Sequence, residues 1–364
     1  MASFRLRERL AVPGWVLGAA LFLAALRGHA IIFYATDDPT HNTTPPTGVY
    51  TNSGWQWQGY WRGFTGTPIA TNWFLTAKHV GGSVGEEFQF AGTNYRTTAV
   101  FNDSQSDLAL WRVCGQFDSF APLYSTANEA GRICVVLGRG YSRGSPVVVT
   151  NGESAVVQGW HWGGNAGLLR WGVNQISGYE DYGTNTAALL RGTFDASAQT
   201  EEATLASGDS GGGVFIQSGG KWELAGIAFA VDGPFRFSVA GADFSAALFD
   251  KGGLYEEMNT GWQLVPPSAQ RQPAAFYASR VSARLAWIQA TLAANPEPAF
   301  SPQILAAPVV GGPYGVVTAA VDPATRTSRL VIPTAPAFYQ LSGCRAARIT
   351  GIAVAGGELV VNYE

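Results

Sequence analysis

A glycine-rich hexapeptide in the second half of the chain constrains the fold more than any other feature. Residues 207–212 read Ser-Gly-Asp-Ser-Gly-Gly, so Ser210 stands between an aspartate and two glycines. Glycines permit the sharp backbone turn that presents a serine hydroxyl outward. In such a turn the backbone amides of Gly208 and Ser210 point at one spot, as stabilisation of a developing oxyanion requires. We therefore interpret Ser210 as a candidate nucleophile, and Gly208 and Ser210 as a candidate oxyanion hole.

Two segments upstream supply candidate partners for this serine. His79 follows an apolar run that reads Trp-Phe-Leu-Thr-Ala-Lys, and Asp107 opens a strand-like run that continues as Leu-Ala-Leu-Trp. The other three histidines lie in a leader segment (His29), a Thr/Pro-rich stretch (His41) and an aromatic loop (His161). His79 is thus the candidate general base, and Asp107 is the candidate residue that orients it.

In this order, His79, Asp107 and Ser210 resemble the catalytic triad of the chymotrypsin-like (trypsin-like) serine protease family. Residues 276–294 resemble the last strand and C-terminal helix of that family. The helical part carries an apolar stripe at Val281, Leu285, Ile288 and Leu292. The resemblance, to a secreted bacterial-type member with a C-terminal extension, runs from about residue 31 to about residue 295. It implies an all-β fold of two six-stranded antiparallel β-barrels and a C-terminal helix, with a small β appendage. His79 and Asp107 would lie in the first barrel, and Ser210 in the second.

The two ends of the chain differ from this central region. Residues 1–30 predict a signal peptide, because three arginines precede an apolar stretch that ends in Gly-His-Ala. No later stretch is long and apolar enough to cross a membrane, so we expect a soluble, secreted or periplasmic protein. The protease domain is assigned to 31–295, a Pro-rich linker to 296–307 and a small β module to 308–364. An insertion at 232–272 is interpreted as a surface hairpin, with a cover over the substrate cleft as the alternative.

Composition narrows the possible ligands. The net charge is −3, charged residues make up 13%, and no basic run suggests a nucleic acid. No cysteines and histidines are spaced as metal ligands, so neither a metal nor another cofactor is expected. Three cysteines are too few for a disulfide scaffold; Cys114 and Cys134 could pair, which leaves Cys344 over. The expected partner is a protein or peptide substrate, whereas the partner of the C-terminal module stays unassigned.

The resemblance also implies a specificity pocket and a maturation step. Counting back from Ser210 places Thr204 at the pocket floor, and Val231 and Ala275 would form its walls. Such a pocket is small and apolar, which favours small apolar residues before the cut. Phe229 stands where the family usually has a serine near the triad aspartate.

Cleavage after Ala30 would free the amine of Ile31 for an ion pair with Asp209. Phe33 and Tyr34 depart from the two glycines that the family commonly has next, which let this segment turn inward.

Two other functional classes compete with a protease. A non-catalytic protease-like binding protein would need a broken triad, whereas all three members are present. An esterase of the α/β-hydrolase type shares the Gly-x-Ser-x-Gly pattern, but it places its histidine after the serine. No histidine follows Ser210, which excludes this second class.

Overall fold

The computed structural model of the chain describes residues 30–151, 154–165, 167–196, 199–258, 260–296, 302–333, 337–343 and 348–364. The predicted signal peptide, apart from Ala30, lies outside these residues. Regular structure begins with the short strand β1 (Ile32–Phe33). Within the described ranges, no helix has the length and apolarity needed to cross a membrane.

The first half of the central region is a closed six-stranded antiparallel barrel with the strand order β2-β3-β4-β7-β6-β5. Its strands are β2 (Gly59–Trp61), β3 (Phe64–Ala70), β4 (Trp73–Ala77), β5 (Glu87–Phe90), β6 (Thr93–Asn102) and β7 (Leu108–Val113). In β5 the side chains alternate between exposed and buried, as a strand with one face on the core requires. Phe88 of β5 stacks on Phe74 of β4 with 3.9 Å between ring centroids.

The second half closes a further six-stranded antiparallel barrel with the order β11-β12-β20-β15-β14-β8. Its strands are β8 (Ile133–Gly138), β11 (Arg170–Tyr182), β12 (Asn185–Thr193), β14 (Gly213–Ser218), β15 (Lys221–Val231) and β20 (Ala275–Arg280). Buried aliphatic side chains such as Val136, Leu190 and Val214 fill its interior. The predicted architecture of two barrels is confirmed.

Besides β1, seven strands that precede α1 in the described part of the chain lie outside the barrels. They are β9 (Tyr141–Asn151), β10 (Ser154–Asn165), β13 (Ala203–Thr204), β16 (Phe235–Arg236), β17 (Ala246–Leu248), β18 (Tyr255–Met258) and β19 (Gly261–Leu264). β1 pairs with β13, which brings the N-terminal segment to the second barrel. The β9–β10 hairpin pairs through β10 with β17, so the predicted insertion contacts this hairpin.

The longest helix in the described part of the chain, α1 (Val281–Ala294), follows β20 directly, as predicted. Of its apolar stripe, Val281 and Ile288 are fully buried. The C-terminal part contains β21 (Gln303–Ala307), β22 (Gly315–Val317), β23 (Ala320–Asp322), β24 (Thr327–Val331), β25 (Phe338–Ser342), β26 (Ile349–Ala355) and β27 (Glu358–Tyr363). β21 occupies the end of the segment interpreted as a linker, so regular structure begins before residue 308. The division into domains stays a prediction.

The cysteines do not pair as the sequence suggested. Cys134 is a free thiol buried in β8, and burial raises its pKa. Cys114 takes part in a disulfide, so a bond between Cys114 and Cys134 is excluded. The third cysteine, Cys344, lies outside the described residues.

Candidate active site

His79 and Asp107 meet at the edge of the first barrel. β4 ends at Ala77, and the short 3₁₀ turn Lys78–Val80 then carries His79 outward. Nδ1 of His79 lies 2.5 Å from Oδ2 of Asp107, and the backbone amide of His79 donates to Oδ1 at 3.0 Å. The aspartate is buried, whereas the imidazole is 41% exposed. This geometry fixes the ring plane and leaves its other nitrogen free to face a reacting group.

Ser210 completes the chain of contacts from the second barrel. Its Oγ lies 2.8 Å from Nε2 of His79, within hydrogen-bond distance. Ser210 sits on the turn between β13 and β14, where Gly208 and Gly211 have φ angles of +89° and +78°. A Cβ at Gly211 would approach the carbonyl oxygen of Thr65 to 2.1 Å, so this position requires glycine. The structure therefore brings together the three residues singled out from the sequence.

The two backbone amides predicted to form an oxyanion hole are not engaged by the rest of the described protein. In the described part of the chain, neither the amide of Gly208 nor that of Ser210 donates to a protein acceptor. Neighbouring amides are engaged, because Asp209 donates to the carbonyl oxygen of Ala206 and Gly211 donates to that of Ala228. Two free donors next to the hydroxyl are the arrangement that stabilises an oxyanion.

The carboxylate of Asp209 is buried and hydrogen-bonded to backbone amides. Its carboxylate accepts hydrogen bonds from the backbone amides of Gly140 (2.7 Å), Ala206 (2.8 Å) and Ile31. A Cβ at Gly138 would lie 2.1 Å from Oδ1 of Asp209, so this glycine makes room for the carboxylate. Burial raises the pKa of Asp209 to about 7, although the three amides oppose the shift.

A cavity of about 230 Å³ opens beside Ser210. Among the described residues it is lined by His79, Trp162, Leu205, Ala206, Ser207, Asp209, Ser210, Ala228, Phe229, Ala230 and Val231. Of the three residues predicted to form the specificity pocket, Val231 is among these lining residues. Thr204 and Ala275 are not among the lining residues: Thr204 is buried in β13 opposite Ile32, and Ala275 is buried in β20 opposite Thr193.

The ring of Phe229 lies against the histidine that contacts Ser210. It meets the His79 ring edge to face, with 6.0 Å between centroids. The register of β15 shifts between Ala228 and Ala230, which leaves Phe229 without a partner on β20. This bulge turns the phenylalanine towards the histidine and into the cavity wall.

Lys78 is a supporting residue that sequence reasoning missed. Its ammonium donates to the carbonyl oxygens of Asp103 (2.7 Å) and Ser106 (2.6 Å), in the loop that ends at Asp107. Arg284 of α1 binds the Asp103 carboxylate with two nitrogens, at 2.6 and 2.7 Å. Burial favours the neutral acid, but hydrogen bonds from Arg284 and Ser106 outweigh it and lower the pKa of Asp103. The sequence did offer a signal for this role, because Lys78 directly precedes His79 at the end of an apolar strand.

We expect Lys78→Met to lower kcat about tenfold with little change in KM, because charge-assisted hydrogen bonds contribute about 1.5–3 kcal/mol each. The change leaves the substrate cavity intact but loosens the loop that carries Asp107. Steady-state kinetics on a peptide substrate measure the effect. Lys221→Met, at an exposed lysine that begins β15, is the matched control. Equal kinetics for the two variants would contradict this role.

Comparison with known proteins agrees with this geometry. A family model described as Trypsin matches residues 47–236, more than half of the 364 residues. The matched range includes His79, Asp107 and Ser210. No curated protein matches the chain. Among the described residues, no group of three or more His, Cys, Asp or Glu side chains could hold a metal ion.

Proposed function

Because the chain belongs to the trypsin family of serine proteases, we propose that it is an endopeptidase with Ser210, His79 and Asp107 as its catalytic triad. The observation that carries this proposal is the continuous contact from Asp107 through His79 to Ser210, at 2.5 and 2.8 Å. A protease-like binding protein would not need a hydroxyl, an imidazole and a buried carboxylate in line.

Each residue has a defined role in this proposal. Oγ of Ser210 attacks the carbonyl carbon of the peptide bond, and Nε2 of His79 accepts the hydroxyl proton. Asp107 accepts a hydrogen bond from Nδ1–H, which selects the productive tautomer and stabilises the cationic ring. The amides of Gly208 and Ser210 donate to the oxyanion of the tetrahedral intermediate. His79 then protonates the leaving amine, and water releases the acyl group from Ser210 by the same steps.

The mature N-terminus is proposed to be Ile31, paired with Asp209. In the uncut chain the amide of Ile31 already donates to Asp209, so cleavage before Ile31 would place an ammonium group against that carboxylate. Ile31 also has a φ of +61°, which is unfavourable for a β-branched residue. Cleavage removes this strain, because an N-terminal residue has no φ restriction.

Phe33 and Tyr34 fit the inward turn despite the absence of glycines. Phe33 is buried beneath the guanidinium of Arg170, whose carbon lies 4.6 Å from the ring centroid. Arg143 donates to the carbonyl oxygen of Tyr34 at 2.9 Å. These contacts thus hold the segment that follows Ile31 in its inward turn, although it lacks the two glycines that would make the turn easier.

The proposed substrates are peptides with a small apolar residue before the cut. Leu205, Ala206 and Val231 give the cavity beside Ser210 an apolar wall. Asp209 also lines the cavity, but its buried carboxylate already accepts hydrogen bonds from three backbone amides. A lysine or arginine side chain in the cavity would lack a counter-charge, and an unpaired buried charge costs several kcal/mol.

The pairing of the barrel strands supports the proposed extent of the protease domain. β20 pairs with both β12 and β15, so the second barrel is complete only when the chain has reached Arg280. We therefore propose a protease domain of residues 31–295 that includes the 232–272 insertion and α1. Export through the predicted signal peptide belongs to the same proposal.

Reaction with a fluorophosphonate tests the catalytic serine directly. The protein with Ile31 at its N-terminus should be labelled at Ser210, and Ser210→Ala should not be labelled. Ser207→Ala is the matched control, since Ser207 is an exposed serine that lines the same cavity, and it should be labelled normally. Labelling that persists in Ser210→Ala assigns another nucleophile. Peptide binding without labelling or hydrolysis supports the binding-protein alternative.

A further inference from the structure

We propose that Trp162 determines specificity by limiting the size of the side chain that the substrate cavity accepts. This inference rests on the proposed protease function. Trp162 belongs to β10 of the β9–β10 hairpin, outside both barrels, yet it lines the cavity together with Ala206 and Val231. The cavity wall is therefore supplied partly by an element that the two-barrel fold does not need.

The indole of Trp162 is held in place from its own hairpin. Tyr141, at the start of β9, stacks on it with 5.8 Å between ring centroids and an interplanar angle of 22°. The indole nitrogen of Trp162 has no hydrogen-bond partner among the described residues. Packing, and not a polar contact, thus sets the ring position, so a phenylalanine can replace the ring without breaking a hydrogen bond.

The insertion supports the hairpin from the other side. The amide of Trp162 donates to the carbonyl oxygen of Ser245 at 3.1 Å. The preceding residues of β10 pair with β17, so that Trp160 lies opposite Ala247 and His161 opposite Ala246. The insertion does not itself line the cavity. Its role is to hold β10, and with it the Trp162 backbone, against the second barrel.

An aromatic cluster packs against the cavity wall that contains Trp162 and restricts the movement of that wall. It consists of Tyr34, Trp160, Phe194 and Phe249, whose neighbouring ring centroids are 5.3 to 6.3 Å apart. Trp162 and Ala206 both pack against this cluster. The guanidinium carbon of Arg143 lies 3.5 Å from the Trp160 ring centroid, which closes the cluster on the N-terminal side.

A closely packed, rigid cavity wall excludes large substrate side chains more strongly than a wall that can move. Close-packed interiors resist even small increases in volume, because neighbours must leave their preferred rotamers. In the intact protein the indole of Trp162, supported by the aromatic cluster, excludes an aromatic substrate side chain from the cavity. Removing the indole opens space next to Val231, and the selection against a large side chain before the cut should be lost.

A comparison of kcat/KM for peptides with Ala, Val, Leu or Phe before the cut tests this role. Trp162→Ala should raise the Phe-to-Ala ratio of kcat/KM about 100-fold, since one extra or missing methylene group in an apolar pocket already changes selectivity roughly 10–200-fold. Trp162→Phe should raise it about tenfold. Trp262→Ala is the matched control: Trp262 is a half-buried tryptophan of the insertion that packs on Arg236 and does not line the cavity.

Fluorophosphonate labelling of each variant distinguishes a failure of the proposed protease function from a failure of the proposed role of Trp162. Failure of the wild-type protein to label Ser210 would overturn the proposed function. Normal labelling in all variants with an unchanged Phe-to-Ala ratio would overturn only the role of Trp162. Should Trp162→Ala fail to fold, the ratio measured for Trp162→Phe decides, because that variant loses no hydrogen bond.

Discussion

Ser210→Ala and His79→Ala are each expected to lower kcat by a factor on the order of 10⁶, the loss found when such a residue is removed from a serine protease. Each change removes either the attacking oxygen or the base that accepts its proton at 2.8 Å. The double variant should be hardly worse than either single variant, because the two residues act as one unit. Turnover of a peptide substrate by the purified variants, each starting at Ile31, is the measurement.

Asp107→Asn should cost less, about 10⁴-fold, which is the loss that this change causes in trypsin-like proteases. An asparagine can still accept the amide of His79, but it presents an N–H to Nδ1 and so favours the wrong tautomer. Asp118→Asn, at an exposed aspartate after the first barrel, is the control and should leave kcat unchanged. Native thermal unfolding with retained turnover in Asp107→Asn would show that another group orients the imidazole.

The architecture was predictable because short local motifs carry the resemblance to the protease family, and that resemblance implies the two barrels. The Ser-Gly-Asp-Ser-Gly-Gly turn needs positive φ angles, which Gly208 and Gly211 supply. Strand β5 shows the alternation of exposed and buried side chains that a barrel strand requires. The helical stripe begins directly after β20 and buries Val281 and Ile288. Each signal spans fewer than twenty residues, so no knowledge of distant contacts was needed.

The substrate cavity was less predictable because it depends on register. Counting from Ser210 placed Thr204 at the floor, but pairing with Ile32 holds that residue in β13, and the lining begins at Leu205. On the opposite wall, the bulge between Ala228 and Ala230 turns Phe229 towards His79. One extra residue in a strand reverses the faces of those that follow, and the sequence carries no mark of it.

Trp162 and Lys78 were missed for another reason. Trp162 reaches the cavity only because β10 pairs with β17, more than eighty residues later. Lys78 binds two carbonyl oxygens of a loop about 25 residues away. Contacts of this kind arise from tertiary structure, and for Trp162 the residue type alone gives no reason to choose this position over other tryptophans.

Because Asp209 is buried and ionisable, the pH dependence of the protein's stability should differ between forms with and without a free amine at Ile31. In the uncut chain, burial raises the pKa of Asp209 to about 7, against about 3.9 in an unfolded chain. Between these values the folded state binds more protons than the unfolded state, so the free energy of unfolding falls as pH rises from 4 to 7. The loss is on the order of 4 kcal/mol for three pKa units.

A free ammonium group at Ile31 should remove this loss, because it stabilises the ionised carboxylate that burial disfavours. The comparison uses Ser210→Ala protein, which cannot cleave itself, beginning at either Ile31 or Ala30. Thermal unfolding from pH 4 to pH 8 should give a Tm for the Ile31 form that exceeds that of the Ala30 form by roughly 10 °C at pH 8. Near pH 4 the two forms should unfold at similar temperatures. Glu202, whose pKa burial raises to about 8, titrates in both forms and cancels in the difference.

Activity should follow the same pattern when Ser210 is intact. Asp209 immediately precedes Ser210, and its carboxylate ties the amides of Gly140 and Ala206 to the turn that contains Gly208. An ammonium group moved one residue outward, at Ala30, would have to enter a pocket already filled by the Ile31 amide. The Ala30 form should therefore show a lower kcat than the Ile31 form, with its far-ultraviolet circular dichroism unchanged. Asp209→Asn should abolish the difference in Tm between the two forms. Superimposable curves of Tm against pH for the two forms would contradict this role. They would show that the amide donors and Arg170 alone stabilise the Asp209 carboxylate, and that cleavage before Ile31 has no electrostatic effect.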